Sequence, residues 1–453
     1  MSKAKFSVTF KKKIKPFKKN IEVDPDKSLS IRSILLASIS EGISEITNLL
    51  ESEDVYSSIY FVKKFGIKLK KIKKGNYVIY GKGLGNFSAP KNTVVDLGNS
   101  GTLCRLGSGL LATNHGLNLT LKGDKSLQKR NFKELFNILS KFGAKFYPKN
   151  KFKLPIKISS SDLPTGVHFI EKKGSAQMVS AVLFAGLNTF GEKTKILQKK
   201  ESRDHTQIFL KNIGADLKSK KTRIGKEIEI TGSQELSSFK TNIPGDPSSA
   251  AFFTALAILR KNCFLKIKNV GLNPTRIGFY EILKKHGANI KIKNRKKIKN
   301  EITGDIIVRS SKIRPIKSSA KYYSKTVDEF PILFVIAALN KGLSHFSGIK
   351  DLANKESNRI LEMKSLLNKI NIKCKSNKNN MIINGLTNLN INKKKILIDP
   401  KLDHRICQSA AILALVTGAN ITIKNFNTVN TSAPSFLERI KQIGGKFEIK
   451  KSR

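Results

Sequence analysis

Basic side chains gather where helices begin in this 453-residue chain. Six polar clusters precede apolar stretches: DKSLSIR (26–32), GNSGTLCR (98–105), GSAQ (174–177), GDPSSA (245–250), DEF (328–330) and DHR (403–405). Ser, Asp and Asn at such places are N-caps, worth ~1 kcal/mol each, and GDPSSA reads as capping alone. Capping leaves Lys27, Arg32, Arg105 and Arg405 unexplained, because they fall in what read as first turns. A cation there opposes the macrodipole, roughly +0.5 charge at a helix N-terminus. It is tolerated when an anion is the partner, since free N–H groups, the dipole and the side chain all attract the same phosphate or carboxylate. A second set of starts, QKRNF (128–132), ESRDH (201–205) and KESNR (355–359), adds Arg130, Arg203, Lys355 and Arg359. Two carboxylates, Asp328 and Glu356, stand among these cations. Each also suits a plain cap or salt-bridge partner. Acid–base work would need them beside reacting atoms, and cationic surroundings keep a carboxylate ionised, which favours a base.

The elements that must position these residues recur six times. An apolar helix ends at Gly or Asn (Gly42, Gly116, Gly191, Asn262, Gly342, Gly418), a short strand follows, and a second helix closes into another strand. The closing turns are FVKKFGIKL (61–69), ILSKFGAKF (138–146), FLKNIGADL (209–217), ILKKHGANI (282–290), LLNKINIKC (366–374) and RIKQIGGKF (439–447). Gly and Asn accept the left-handed conformation past a helix end. A spacing of roughly 70 to 85 residues is too long for an ordinary solenoid repeat and suits a βαβαββ unit. If the units are equivalent, their basic helix starts face one side of each domain. Two facing domains would then enclose a cleft for a multiply anionic small molecule.

Composition sets the outer limits. The length predicts two or three domains, and 39% hydrophobic residues argue for globular packing. The formal charge of +52 raises a nucleic-acid reading. The cations are mostly Lys, spread over every unit, without the aromatic platforms that RNA binding uses. Cys104, Cys263, Cys374 and Cys407 form no CxxC pair and no metal spacing, which predicts a reduced, cytoplasmic protein. No apolar run approaches the ~18 residues that span a bilayer, and the first 26 residues lack a signal core.

Taken together, these motifs resemble 5-enolpyruvylshikimate-3-phosphate synthase. The resemblance runs in order through DKSLSIR, LGNSGTLCRL, the Arg130 region, SAQ, SRDHT, PGDPSSAAFF, DEFP, KESNRI and DHR. SAQ and SRDHT are similar to the wording of the class II branch. The resemblance implies a two-domain inside-out α/β barrel, the enolpyruvyl transferase fold, with six βαβαββ units in two pseudo-threefold domains. Domain I would be residues 1–24 and 245–453, domain II residues 25–244, with the active site in the interdomain cleft. The N-terminal strand would join the C-terminal half, with crossovers near 22–26 and 243–246.

It also implies roles. Lys27, Ser28 and Arg32 match a KSxxxR group, with Lys27 reaching both substrates, phosphoenolpyruvate and shikimate 3-phosphate. Gly101 and Arg130 match positions at the phosphate of phosphoenolpyruvate, Arg359 and Arg405 at its carboxylate side, and Gln177 touches both ligands. Ser175, Ala176 and Arg203 match the shikimate phosphate site. Asp328 matches the base beside the attacking hydroxyl, Lys355 lies near the same substrate, and Glu356 shares with Lys27 the proton traffic at the methylene carbon. No metal or organic cofactor is implied, nor a membrane or specific nucleic-acid partner, and the expected state is a monomer.

Three departures stand out. Asn358 occupies a place where Asp is usual, which predicts that Arg359 loses an orienting partner. VNTSAP (429–434) has no Lys near the phosphate and has Ala433 where an aromatic is usual. The sister enzyme that acts on a UDP-linked amino sugar would carry Lys-Asn at the first helix and a Cys on a mobile loop. Here the pair is Lys27-Ser28, and Cys104 sits in a helix start. A nucleic-acid enzyme would need a nucleophilic His and a nucleotide loop; GKGLG (81–85) lacks the following helix, and His205 and His404 read as packed residues.

Overall fold

The computed structural model describes residues 5–299, 301–387 and 395–451. The chain divides into two compact units: a central one, Pro25–Ile243, and a split one that joins Met1–Asp24 to Pro244–Arg453. Among the described residues there are six four-stranded sheets, three in each unit, and all share one strand order. Numbered within a repeat, that order is first, second, fourth, third. The first two strands are parallel and the other pairings antiparallel, as in Thr93–Asp96, Asn118–Lys122, Ile156–Ser159 and Lys145–Tyr147. The six-unit expectation therefore describes the sheets, and the family fold reported below agrees with it.

Three sheets are completed by strands distant in sequence. Phe6–Phe10 pairs with Ile421–Ile423 and Glu448–Lys451, so the N-terminal strand does belong with the C-terminal half. Lys18–Ile21 lies parallel to Phe264–Gly271, and Lys240–Asn242 lies parallel to Glu41–Thr47.

The first helix of each repeat is interior. His404–Thr417 is buried continuously from His404 to Val416, and Lys27–Ile39 from Leu29 onward. A helix apolar all round must be surrounded by protein, and burying each Leu or Phe contributes roughly 1.5–3 kcal/mol. The serines of Lys27–Ile39 fit because their hydroxyls stay bonded: Ser33 Oγ donates to Leu29 O at 2.8 Å, and Ser30 Oγ accepts from Leu50 N–H at 3.1 Å. The helices Gly101–Ala112 and Ala176–Gly186 approach closely, since a Cβ on Gly109 would stand 2.3 Å from Ala181 O.

The closing turns behave alike. Gly66, Gly143, Gly214, Gly287, Asn371 and Gly444 all have positive φ, from 62° to 102°. The first-helix ends differ from expectation. Gly418 caps its helix directly, whereas Lys27–Ile39 stops before Ser40, and Gly42 already lies in the next strand.

The strand order gives one group of lysines a structural place. The third strand of each repeat is always at a sheet edge, and these edges are Lys-rich: KLKKIK in Lys68–Lys73, LKSKKT in Leu217–Thr222 and NIKIKNRKKI in Asn289–Ile298. Charged edges discourage pairing with another chain, so the lysines on these strands have a role apart from any ligand.

Candidate active site

In the central unit the basic residues sit on helix ends held by other helices. Asp26 caps Lys27–Ile39, its side chain accepting from Leu29 N–H at 2.9 Å, and Lys27, the first helical residue, pairs with Asp54 at 2.9 Å. Arg32 stands on the second turn, not the first, and reaches back to Ser28 O at 3.0 Å. Its Nε–H donates to Thr206 Oγ1 at 2.8 Å and its Nη2 to Ser180 Oγ at 3.2 Å, so one buried guanidinium links three helices. Arg105 repeats this posture, reaching back to Gly101 O at 3.0 Å and across to Gln177 Oε1 at 2.9 Å. Helical side chains lean toward the N-terminus, which is why second-turn arginines still serve the helix mouth.

Gln177 in turn donates to Thr102 Oγ1 at 2.8 Å, and Arg105 lies 5.2 Å above the Phe132 ring. Arg130 falls between the short helix Lys125–Lys129 and the helix Lys133–Lys141, donating to Asn99 Oδ1 at 3.0 Å. A Cβ at Gly101 would stand 2.4 Å from its Nη1. Gly101, Arg105, Arg130 and Gln177 thus form one group. Ser175 caps the helix that Ala176 begins, and Arg203 is half-buried two residues before the helix His205–Asn212.

The split unit is built around a different kind of cluster. Arg359, 1% exposed, opens the helix Arg359–Asn368 and meets three carboxylates: Asp403 at 2.9 Å, Glu356 at 2.7 Å and Asp328 at 3.4 Å. Burial alone would lower its pKa, but these carboxylates outweigh that and hold it above the ordinary arginine value. Asp403, fully buried, is the hub. It caps His404–Thr417 by accepting from Arg405 N–H at 2.9 Å and also accepts from Ser357 Oγ at 3.1 Å. Arg405 is buried, with Nη1 donating to Gln408 Oε1 at 3.3 Å and its guanidinium 5.7 Å from the Phe252 ring centre. Lys355 follows the short helix Lys350–Asn354 and is half-buried.

Two sequence readings need correction here. Asn358 does not deprive Arg359 of orientation: it caps the helix, accepting from Leu361 N–H at 3.2 Å, while Asp403, Glu356 and Asp328 orient the guanidinium. Asn and Asp cap equally well. GDPSSA does more than cap, because Asp246 also pairs with buried Arg276 at 3.2 Å. Asp403, Asp54 and Arg105 were absent from the expected site residues. Asp403 lay in the DHR motif and Arg105 among the helix-start cations, but their partners are far away in sequence.

The sequence matches the family model for EPSP synthase (3-phosphoshikimate 1-carboxyvinyltransferase) over residues 11–440. The chain belongs to the EPSP synthase family. A 3-phosphoshikimate 1-carboxyvinyltransferase of Zymomonas mobilis is 34% identical over 440 residues, covering 97% of this chain and 96% of the relative. One from Ruthia magnifica is 37% identical, covering 94% and 95%. A solved EPSP synthase from Acinetobacter baumannii superposes with a TM-score of 0.85 at 32% identity, covering 98% of this chain and 100% of that one. The enolpyruvyl transferase NikO from Streptomyces tendae, at 12% identity and TM-score 0.74, shares the fold.

Other features of this EPSP synthase family member agree with packed roles. Cys104 is buried and its thiol is pushed up to about 12 by that burial, while His205 and His404 are also buried. Among the described residues no His, Cys, Asp and Glu group could hold a metal ion, and no helix is long and apolar enough to cross a membrane.

Proposed function

We propose that this chain transfers the enolpyruvyl group of phosphoenolpyruvate to the 5-hydroxyl of shikimate 3-phosphate, releasing phosphate, in aromatic amino-acid biosynthesis. The observation that carries this reading is the family match over residues 11–440, within which Lys27, Arg32, Arg130, Asp328, Glu356, Arg359 and Arg405 are all present.

In the proposed reaction the methylene carbon of phosphoenolpyruvate gains a proton and the neighbouring carbon becomes electrophilic. The shikimate hydroxyl oxygen attacks that carbon as Asp328 takes its proton, giving a tetrahedral adduct. Loss of phosphate and of a methyl proton then restores the double bond. Glu356 and Lys27 handle the protons at the methylene carbon. Ser28, Arg32, Gly101, Arg130, Ser175, Ala176, Gln177, Arg203, Lys355 and Arg405 hold the two anionic substrates. Donors aimed at a departing oxyanion commonly supply 10²–10³-fold each. Arg359 takes a double role in this reading: besides facing the phosphoenolpyruvate carboxylate, it holds Asp328 and Glu356 on one guanidinium.

The protein works as a cytoplasmic monomer in this reading; the four cysteines, all free thiols, suit a reducing compartment. The test is phosphate release with phosphoenolpyruvate and shikimate 3-phosphate. Release that requires both supports the assignment, and none with this pair, or release with a UDP-linked amino sugar instead, overturns it.

A further inference from the structure

Asp328 and Glu329 are neighbours that face opposite environments. The Asp328 side chain keeps 24% of its surface exposed and reaches Arg359, whereas Glu329 is 1% exposed. Glu329 occupies the N-cap position of Phe330–Ala338, yet its side chain makes no capping hydrogen bond. Capping therefore does not account for a buried carboxylate there, and such a group is costly unless hydrogen-bonded.

Its partner is in another repeat. Glu329 Oε1 accepts from the hydroxyl of Ser248, on the first turn of the helix Pro247–Leu259. Ser248 Oγ accepts from Arg276 Nη2 at 3.1 Å, which leaves the hydroxyl proton for Glu329. The same Nη2 donates to Asp246 Oδ1 at 3.2 Å, and Asp246 Oδ1 also accepts from Ser248 N–H at 2.7 Å. Tyr280 fixes the same helix end by donating to Pro247 O at 2.8 Å. The turn itself is tight: Glu329 N–H donates to Thr326 O at 3.0 Å, and a Cβ on Gly278 would stand 2.2 Å from Thr326 Oγ1. Asp328 is thus held from two sides, by Arg359 through its own side chain and by Arg276 through Ser248 and the next residue.

We propose that Glu329 is a positioning residue for the transfer reaction, anchoring the turn that carries Asp328 to the Pro247–Leu259 helix through Ser248 and Arg276. The inference rests on the reading of Asp328 as the base. A base displaced by about 1 Å can lose on the order of 10²-fold in rate, so anchoring should be visible in turnover rather than in binding.

Steady-state kinetics on Glu329→Ala, Glu329→Gln, Ser248→Ala, Asp328→Asn and the double variant Asp328→Asn with Glu329→Ala test this, each alongside a melting curve. Glu329→Ala and Ser248→Ala should lower kcat by roughly 10- to 100-fold, with KM for both substrates within about twofold. Glu329→Gln still accepts from Ser248 and should recover most of the rate. In the Asp328→Asn background, Glu329→Ala should cost nothing more, because its effect passes through Asp328. Should Glu329→Ala fail to fold, Ser248→Ala, which deletes one oxygen, decides the matter. Unchanged kcat in Ser248→Ala and Glu329→Ala, a raised KM with kcat intact, no recovery by Gln, or full additivity in the double variant would each overturn the proposal. A fully active Asp328→Asn would remove the base reading itself and this inference with it. An inactive Asp328→Asn beside a normal Glu329→Ala would remove the inference alone.

Discussion

In the central unit, Arg32 and Arg105 donate to neutral oxygens of Ser28, Thr206, Ser180, Gly101 and Gln177. In the split unit, Arg359 meets Asp403, Glu356 and Asp328. Both kinds of site place a guanidinium near a helix start, so position in the repeat does not decide its task. Neutral oxygens aim a guanidinium without cancelling its charge. Carboxylates offset it, and the guanidinium becomes in addition the post to which they are tied. Arg32 and Arg105 are aimed by the hydroxyl, carbonyl and amide oxygens around them, whereas Arg359 is the shared partner of Asp328, Glu356 and Asp403.

The sharpest way to break the comparison is Arg359→Met. It would remove the guanidinium that three carboxylates share, one of them fully buried, and losing one partner of a buried ion cluster costs about 3–5 kcal/mol. Denaturant unfolding should report a loss of that order together with inactivity. A stable Arg359→Met protein would mean that the carboxylates do not depend on it.

Asp24 offers the contrast of a buried carboxylate held mainly by hydroxyl and backbone N–H donors. It accepts from Ser435 Oγ at 2.8 Å and Ser435 N–H at 3.2 Å. Burial raises its pKa from 3.8 to about 6, against the Ser435 hydrogen bonds and the Arg439 charge and with the help of Asp246. A carboxyl group raised in the folded state contributes stability that is present below its unfolded pKa and lost as pH rises through the folded one. The window is therefore pH 3.8 to about 6, and the loss by pH 7.5 is about 3 kcal/mol. Asp24→Asn keeps an acceptor for Ser435 and should be more stable than the parent at pH 7.5, converging with it near pH 4. Parallel unfolding curves at both pH values would rule this out.

Arg32→Lys probes the other side of the comparison. It keeps the charge but loses the fork that reaches Thr206 and Ser180 together. Substrate KM should rise with a stability loss of only about 1–2 kcal/mol, well below that of Arg359→Met. Equal losses in the two variants would erase the distinction between the units.

Gly101→Ala should have the smallest effect on folding. The new Cβ meets the end of the Arg130 side chain, which can swing aside. Melting should barely change, while KM for the anionic substrate that uses Arg130 rises several-fold, roughly 1 kcal/mol. An unchanged KM would separate Arg130 from binding.

Much of this was legible because it is local. Asp26, Ser100, Ser175, Asp246 and Asp403 all cap the helices they precede, since a cap needs only the backbone two or three residues ahead. The six closing turns lie at positive φ because Gly and Asn tolerate that backbone wherever it occurs. What the tertiary structure decided were partnerships across sequence. Phe6–Phe10 finds its sheet near the other end of the chain, Arg32 meets Thr206 174 residues away, and Glu329 meets Ser248 81 residues away. The orientation of Arg359 is not legible from Asn358 because two of its partners lie 31 and 44 residues away, Asp328 ahead of the first helix of the same repeat and Asp403 in the next repeat. Spacing along a chain encodes turns and caps through fixed short-range geometry. Which charge meets which depends on how separately formed helices pack, and no local pattern carries that information.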